Sequence, residues 1–365
     1  MGYNPLVISP TPIIPFKSFF PKRFKLYDTP DYSIQNYKGT DVIRPGYIKL
    51  PENKTVGFNL KNLSNCLLKY GDYKSIKLIH AHFGQNGVAA LALKQKLNVP
   101  LITSFYGFDA GGARKQFQPH YKKLIEKGDL FLALSQDMKN DLVNLEFPEN
   151  KIVVHHLGVD LASFTPTTER NKKFTLLTIA RLVEVKGIQF VIKAFADFLT
   201  KHPSEKEKIE YKIIGGGEYE PVLKQLVSEL KLEQNVIFIN NLILNNAREI
   251  VNIEMQTCDL FALTSFTTSS GHKEGTPVVL MEAQACDKAC ISSWHAGIPE
   301  IVINNQTGIL VPEKAVPEIE NAIEKLYFNN ELREQMGTNA RAHIMQEFNH
   351  TVQMQKLDSI FKQLI

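Results

Sequence analysis

Phe174-Thr-Leu-Leu-Thr-Ile-Ala180 is an apolar run interrupted only by threonines, and the short segment Arg181-Leu-Val-Glu-Val-Lys186-Gly187 follows it directly. Ile188–Leu199 comes next, with apolar residues recurring at helical spacing. A strand apolar on both faces, a polar turn and an amphipathic helix make one unit of a parallel α/β sheet. The same rhythm extends in both directions. Downstream, Tyr211–Ile214, Val236–Ile239, Leu260–Leu263, Ala289–Ser292 and Gly308–Val311 read as strands. Pro221–Leu230, Ala247–Met255, Val278–Cys286 and Pro317–Tyr327 read as the helices between them. Upstream, Leu6–Ser9, Lys77–His80, Pro100–Ser104, Leu130–Leu134 and Ile152–His155 are strand candidates, with helices at Val88–Leu97 and Gln136–Leu145. Strands alternating with helices predict parallel sheets with right-handed crossovers.

The chain of 365 residues is longer than one core usually organises, so two domains are expected. Gly158 to Lys173, polar and containing Pro166, is the natural linker between residues 1–160 and 161–345. A hydrophobic fraction of 44% with 22% charge excludes a disordered chain or a low-complexity fibre. The net charge of +4 is too mild to indicate a nucleic-acid binder, and none is expected as partner. Four cysteines, Cys66, Cys258, Cys286 and Cys290, form no CxxC pair and fit buried thiols in a reducing compartment. No apolar run approaches the ~20 residues of a membrane helix. Met1-Gly2-Tyr3-Asn4-Pro5 lacks the charged and apolar regions of a secretory leader, and Leu6 stands where a myristoylation start wants Ser or Thr. A cytoplasmic protein is expected.

Before Lys77 the chain is least regular. Ile13–Pro30 interleaves Phe16, Phe19, Phe20 and Phe24 with Lys17, Lys22, Arg23 and Lys25. Such a segment can touch anionic lipid headgroups or a lipid-linked substrate, placing the protein peripherally at the inner face of a membrane. It can equally fold back as a loop, since Pro15 and Pro21 interrupt helical periodicity. From Thr338 the chain reads as helix to its end, with an apolar face that either domain could cover.

Chemistry concentrates at three strand ends. In Glu274-Gly-Thr-Pro-Val-Val-Leu-Met-Glu282, Thr276 then Pro277 is a helix-start signal, a hydroxyl cap before a first-turn residue. Glu274 then lies just outside the helix and Glu282 on it. First-turn N–H groups favour an anion, and carboxylates accept pairs of hydrogen bonds from a diol. A ligand with phosphates and vicinal hydroxyls suits both. The plain alternative is a capped core helix with incidental glutamates. Arg181 and Lys186 follow a strand whose carboxyl end should open into the ligand crevice, where a planar fork and a point charge suit a pyrophosphate. Gly215-Gly216-Gly217 follows another strand and lets backbone approach a ligand. His80 and His82, two apart at a strand end, share a face. Metal geometry is possible there in principle, but acceptor contact for one and core packing for the other fit better.

These residues together carry a resemblance. The chain resembles the retaining glycosyltransferases of GT-B architecture in family four, most of all the bacterial members that build exopolysaccharides. The resemblance rests on Ile79-His-Ala-His-Phe-Gly84, Ser104-Phe-Tyr-Gly-Phe-Asp109, Val154-His-His-Leu-Gly-Val-Asp160 with Phe164 and Pro166, and Arg181 with Lys186. The glutamate pair and Gly297-Ile-Pro-Glu300 with Thr307-Gly308 complete it. It implies two Rossmann-like domains around a cleft, with residues 346–365 returning as a helix to the N-terminal domain. A nucleotide-sugar would bind the C-terminal domain: Arg181 and Lys186 on the diphosphate, Glu282 on the ribose, Glu274 and the backbone of Gly275, Thr276, Pro277 and Val278 on the transferred sugar, with Gly216 nearby. Glu274, Lys186 and Arg181 would be the catalytic groups. His82, Gly84, Tyr106 and Asp109 would lie on the acceptor side, toward a saccharide or lipid-linked acceptor. Retention would proceed on one face of the sugar, the leaving phosphate helping to deprotonate the acceptor.

Two positions depart from that pattern. Ser9-Pro-Thr-Pro12 stands where the family often has a glycine pair, with Gly84-Gln-Asn-Gly87 as a substitute, and Tyr106 stands where many relatives place a His. No Asp-x-Asp pair occurs to hold a divalent cation with a diphosphate, so no metal or other cofactor is expected. A sugar phosphorylase needs the same anion pocket with free phosphate, and a non-catalytic partner of another transferase would keep the fold alone. Arg181, Lys186, Glu274 and Glu282 together favour the enzyme.

Overall fold

The computed structural model describes residues 3–9, 11–13, 31–44, 46–48, 75–110, 118–240 and 247–365. It divides into two compact units: residues 1–104, 119–131 and 358–365 in one, 105–118 and 132–357 in the other. The Phe/Lys-rich segment 14–30 and Cys66 lie outside the described residues.

The second unit is built on six parallel strands. Their spatial order is Val236–Ile239, Ile209–Ile214, Phe174–Ile179, Leu260–Leu263, Cys290–Ser293 and Gly308–Val311. Numbered along the chain this is 3-2-1-4-5-6, the order of a doubly wound nucleotide-binding fold. Successive residues of each strand point to opposite faces, so each strand serves two cores. Leu176, Tyr211, Ile213, Leu260 and Ile291 pack with the helices Ile188–Lys201, Glu220–Glu229 and Val316–Phe328. Leu177, Ile214, Phe261, Leu263 and Cys290 pack with Ala247–Thr257, Val278–Ala285 and Asn330–Glu347. Burial on both faces is why these strands read as continuous apolar runs. Cys258, Cys286 and Cys290 are buried free thiols, as expected, and burial pushes Cys258 and Cys286 up to about 12.

In the first unit, Ile79–His82 pairs in parallel with Leu101–Ser104, and the helix Gly84–Leu97 follows the first of them. The expected strand at Lys77–His80 thus begins two residues later. Gly84-Gln-Asn-Gly87 is the first turn of that helix, and a Cβ on Gly87 would meet Thr103 Oγ1 at 2.6 Å. Among its described residues, the opening segment holds regular strands that its composition does not suggest. Asp31–Tyr37 and Thr40–Arg44 form an antiparallel hairpin, turning through Lys38 at φ 50° and Gly39 at φ 83°, and Leu6–Ile8 joins it in parallel. Asn36 organises the turn, its Oδ1 accepting the Gly39 N–H at 3.0 Å. Residues 33–37 are exposed, while Thr40–Arg44 buries the adjacent pair Val42 and Ile43, so neither strand shows the alternation that would reveal it.

The C-terminal helix is in fact two, Asn330–Glu347 and His350–Leu364. The break has a backbone cause: the Val159 N–H donates to Phe348 O at 2.8 Å, and the His350 N–H donates to Val159 O at 3.0 Å. Residues 348–350 are therefore spent on a bridge and cannot continue the helical ladder. Residues 358–365 belong to the first unit, where the Phe361 ring lies 5.5 Å from His80 and 5.9 Å from Tyr3. Among the described residues, no helix is long and apolar enough to cross a membrane.

Gly187 links the first strand of the six-stranded sheet to its helix at φ 67°, and a Cβ there would collide with Thr264 O. Gly187→Ala should cost about 2 kcal/mol or more, from the left-handed backbone and the displaced carbonyl. Thermal denaturation should show an apparent melting temperature lower by roughly 4–8 °C.

Candidate functional site

Phe174–Ile179 and Leu260–Leu263 are neighbours in the sheet, paired at Leu176 with Leu260 and at Leu177 with Phe261. Their following helices pack on opposite faces. The connections 180–187 and 264–277 must therefore part at the carboxyl ends of the two strands, where doubly wound sheets bind ligands. Three hydrogen bonds shape the gap. Thr264 Oγ1 donates to Gly187 O at 3.1 Å, the Phe266 N–H donates to Val185 O at 3.0 Å, and Ser293 Oγ bonds Ser265 O.

Lys186 ends a short 3-10 turn, and its ammonium is ion-paired with Glu274 Oε2 across this gap. The two side chains are 13% and 16% exposed. Burial pushes the Glu274 carboxyl up, but the Lys186 charge and hydrogen bond, with the Gly275 N–H on Oε1 at 3.1 Å, outweigh it and hold Glu274 below the usual carboxylate range. Glu274 is thus an ionised carboxylate at neutral pH. Arg181 follows the same strand and is exposed.

The helix Val278–Ala285 begins without a side-chain cap, which corrects the expected start. Pro277 occupies the N-cap position, and the Thr276 hydroxyl faces Leu134 O at 3.5 Å instead. Only the Leu280 N–H turns back, to Pro277 O at 3.0 Å. A missing hydroxyl cap strengthens the anion reading, since side chains do not satisfy the first-turn donors. Gly275 meets Gly107 closely: a Cβ on Gly107 would sit 2.7 Å from Gly275 N. Glu282 lies on the helix, half-buried, and burial raises its carboxyl while Arg248 opposes that.

Two residues that the strand-end signals left unnamed complete the site. His295 follows Cys290–Ser293 and Glu313 follows Gly308–Val311. The Glu274 N–H donates to His295 Nε2 at 3.0 Å, and His295 Nδ1 lies 2.6 Å from Glu313 Oε1. The other Glu313 oxygen accepts the Thr267 N–H at 3.1 Å. Lys273, beside Glu274, pairs with Asp137 and Asp141. His295 and Glu313 could have been sought by the rule that singled out Arg181, because both stand two residues past a strand's carboxyl end.

The remaining expected positions serve other contacts. Gly216 is buried and its carbonyl accepts the Leu182 N–H at 3.0 Å; the glycine run lets residues 215–217 lie against Ala180 and Leu182. Asp109 is buried and its Oδ1 accepts the Tyr106 N–H at 2.7 Å, while burial and the Asp109 charge raise the Tyr106 phenol. His82 and Gly84 belong to the first unit, at the end of Ile79–His82 and the start of the next helix. His80 and His82 stack 4.4 Å apart, with His80 Nε2 2.8 Å from Ser104 Oγ. Among the described residues, the group with metal-ligand spacing is instead His202, Glu320 and Glu324, whose carboxylates Lys201 already pairs.

Residues 162–343 match the family model for glycosyl transferases group 1, and residues 22–163 match that for glycosyltransferase family 4. The colanic acid biosynthesis glycosyltransferase WcaL of Salmonella typhimurium is 30% identical over 289 residues, covering 77% of this chain and 69% of that protein. The amylovoran biosynthesis glycosyltransferase AmsK of Erwinia amylovora is 29% identical over 289 residues, covering 78% and 69%. Among solved structures, Anabaena HepE in complex with UDP superposes with a TM-score of 0.72 at 19% identity, covering 88% of this chain and 86% of that one. Sucrose-phosphate synthase from Thermosynechococcus elongatus gives 0.76 at 18%, covering 100% and 89%. The chain therefore belongs to the group 1 glycosyltransferases, with a GT-B fold.

Proposed function

We propose that the chain transfers a hexose-type sugar from a nucleotide-sugar to a saccharide or lipid-linked acceptor, with retention at the anomeric carbon, in surface polysaccharide synthesis at the inner face of the membrane. The ion pair of Lys186 with Glu274, beside an uncapped helix start, carries this reading. An ammonium has three N–H donors, so contact with Glu274 leaves donors for a diphosphate. Arg181 and the first-turn N–H groups of Val278 and Val279 add positive potential where leaving-group charge develops. The donor's C1–O bond to the diphosphate breaks while the acceptor oxygen bonds C1 on the same face, and the acceptor proton passes to the departing phosphate oxygen. Glu274, ionised and next to the sugar, stabilises positive charge on the ring. Glu282 accepts the ribose hydroxyls. Tyr106, whose phenol stays protonated, is assigned to an acceptor hydroxyl. Nucleotide-sugar use is also supported by the solved neighbours, since HepE has been captured with UDP and with UDP-glucose.

Lys186→Ala should weaken donor binding and turnover by roughly tenfold or more, ~1.4 kcal/mol upward. Unchanged donor affinity in calorimetry would remove Lys186 from the diphosphate site.

The two glutamates should differ in kind, because one faces the reacting carbon and the other a part that does not react. Glu274→Gln should lower turnover even at saturating donor, whereas Glu282→Gln should chiefly raise the donor Michaelis constant. Full turnover in Glu274→Gln contradicts the role given to Glu274. Loss of thermal stability in both, with no kinetic split, would make both structural.

Charge on the diphosphate is met by Arg181, Lys186 and a helix start, and the sequence has no Asp-x-Asp pair. Turnover should accordingly persist in excess EDTA and release nucleoside diphosphate. Release of sugar phosphate from free phosphate would instead mark a phosphorylase.

A further inference from the structure

The loop 264–277 carries Glu274, yet little of it is regular structure. A long loop that must hold a carboxylate in one place needs anchors. Two of its backbone N–H groups end on one side-chain couple. The Glu274 N–H donates to His295 Nε2 at 3.0 Å, and the Thr267 N–H donates to Glu313 Oε2 at 3.1 Å. Between them, His295 Nδ1 and Glu313 Oε1 are 2.6 Å apart.

These contacts dictate the proton's place. A ring nitrogen that accepts from a backbone N–H must be bare, so the imidazole proton sits on Nδ1 and is donated to Glu313. The side chain of His295 is 1% exposed, so water cannot substitute for either bond. Its backbone is equally constrained. His295 stands two residues past its strand, and Ala296 turns the chain at φ 47°, a left-handed conformation that a non-glycine residue keeps only when its surroundings hold it.

We propose that His295 and Glu313 are positioning residues for the transfer reaction: together they clasp the loop at Thr267 and Glu274, fixing the turn that presents the Glu274 carboxylate to Lys186 and the Gly275–Val278 backbone to the donor. The clasp rests on the donor-site reading given above. Neither residue touches the donor in this scheme; both act through Glu274. The chemistry asks for a group that accepts at one end and donates at the other, which neutral imidazole does and a carboxylate or ammonium does not.

Conservative variants separate this from a packing role. In His295→Gln the side-chain carbonyl can reach the Nε2 position and accept the Glu274 N–H. In His295→Asn the shorter amide can still donate to Glu313 from the Nδ1 position, but the Glu274 N–H loses its acceptor. Amide hydrogen exchange on the ligand-free protein should therefore be faster by roughly tenfold in the peptide containing Glu274 for His295→Asn, and near wild type for His295→Gln. Turnover of UDP-glucose or GDP-mannose at saturating donor should follow the same order. Thermal midpoints check that both variants fold. Equal exchange and equal turnover in the two variants would overturn the clasp, as would a loss of turnover that tracks only the thermal midpoint. Glu274→Gln, assayed in parallel, keeps the two ideas apart. If it keeps full turnover the donor-site reading fails, and if it is impaired while His295→Asn behaves as wild type only the clasp fails.

Discussion

Everything in the second unit hangs on the parting of two adjacent strands. Phe174–Ile179 and Leu260–Leu263 are hydrogen-bonded neighbours, yet one feeds a helix on one face of the sheet and the other a helix on the opposite face. The gap between the departing chains cannot close without unburying Leu280 and Met281 on one side or Ile188 and Val191 on the other. Removing several such side chains from contact would cost about 1.5–3 kcal/mol each. The crevice is therefore held open by the cores, and its lining is whatever the sequence places in the first few residues after each strand.

That lining is charged, and its charges are arranged so that burial is tolerated. Glu274 alone in this position would be driven toward neutrality. Lys186 and the Gly275 N–H reverse the balance, leaving an ionised carboxylate beside an ammonium with donors to spare. Breaking such a buried pair from one side leaves an uncompensated charge, which is expensive. Glycines let the surrounding backbones approach: Gly187 against Thr264, and Gly107 against Gly275. Close backbone, few donors wasted on caps and a paired carboxylate together make a site ready for an anionic, hydroxyl-rich ligand.

The local level was legible without coordinates. All six strands of the second unit and the five helices Ile188–Lys201, Glu220–Glu229, Ala247–Thr257, Val278–Ala285 and Val316–Phe328 appear within a residue or two of the positions that periodicity assigns them, because residues buried on both faces must be apolar wherever the strand runs. Arg181, Lys186 and Glu274 stand out because they lie on the connections that leave strand ends, and Glu282 because it lies on the helix that follows one of them. Less legible was the hairpin Asp31–Arg44, whose first strand is exposed over residues 33–37, whose second buries only the adjacent Val42 and Ile43, and whose turn rests on Lys38 and Gly39 in left-handed conformations. The helix break at Phe348–His350 was also hidden, since its cause is a bridge to Val159.

Sequence by itself determined the parallel α/β architecture, the charged strand ends and the family, because these depend on periodicity and on motifs a few residues long. Only the tertiary structure decided which donors meet which acceptors. Thr276 had the chemistry of a cap and does not cap, because its hydroxyl is directed to Leu134. His295 and Glu313 each stand just past a strand's end, but it is the order of the strands in the sheet that brings His295 to Glu274 and Glu313 to His295 and Thr267. Hydrogen bonds act over about 3 Å, and it is the fold that brings residues so far apart in the chain to that distance.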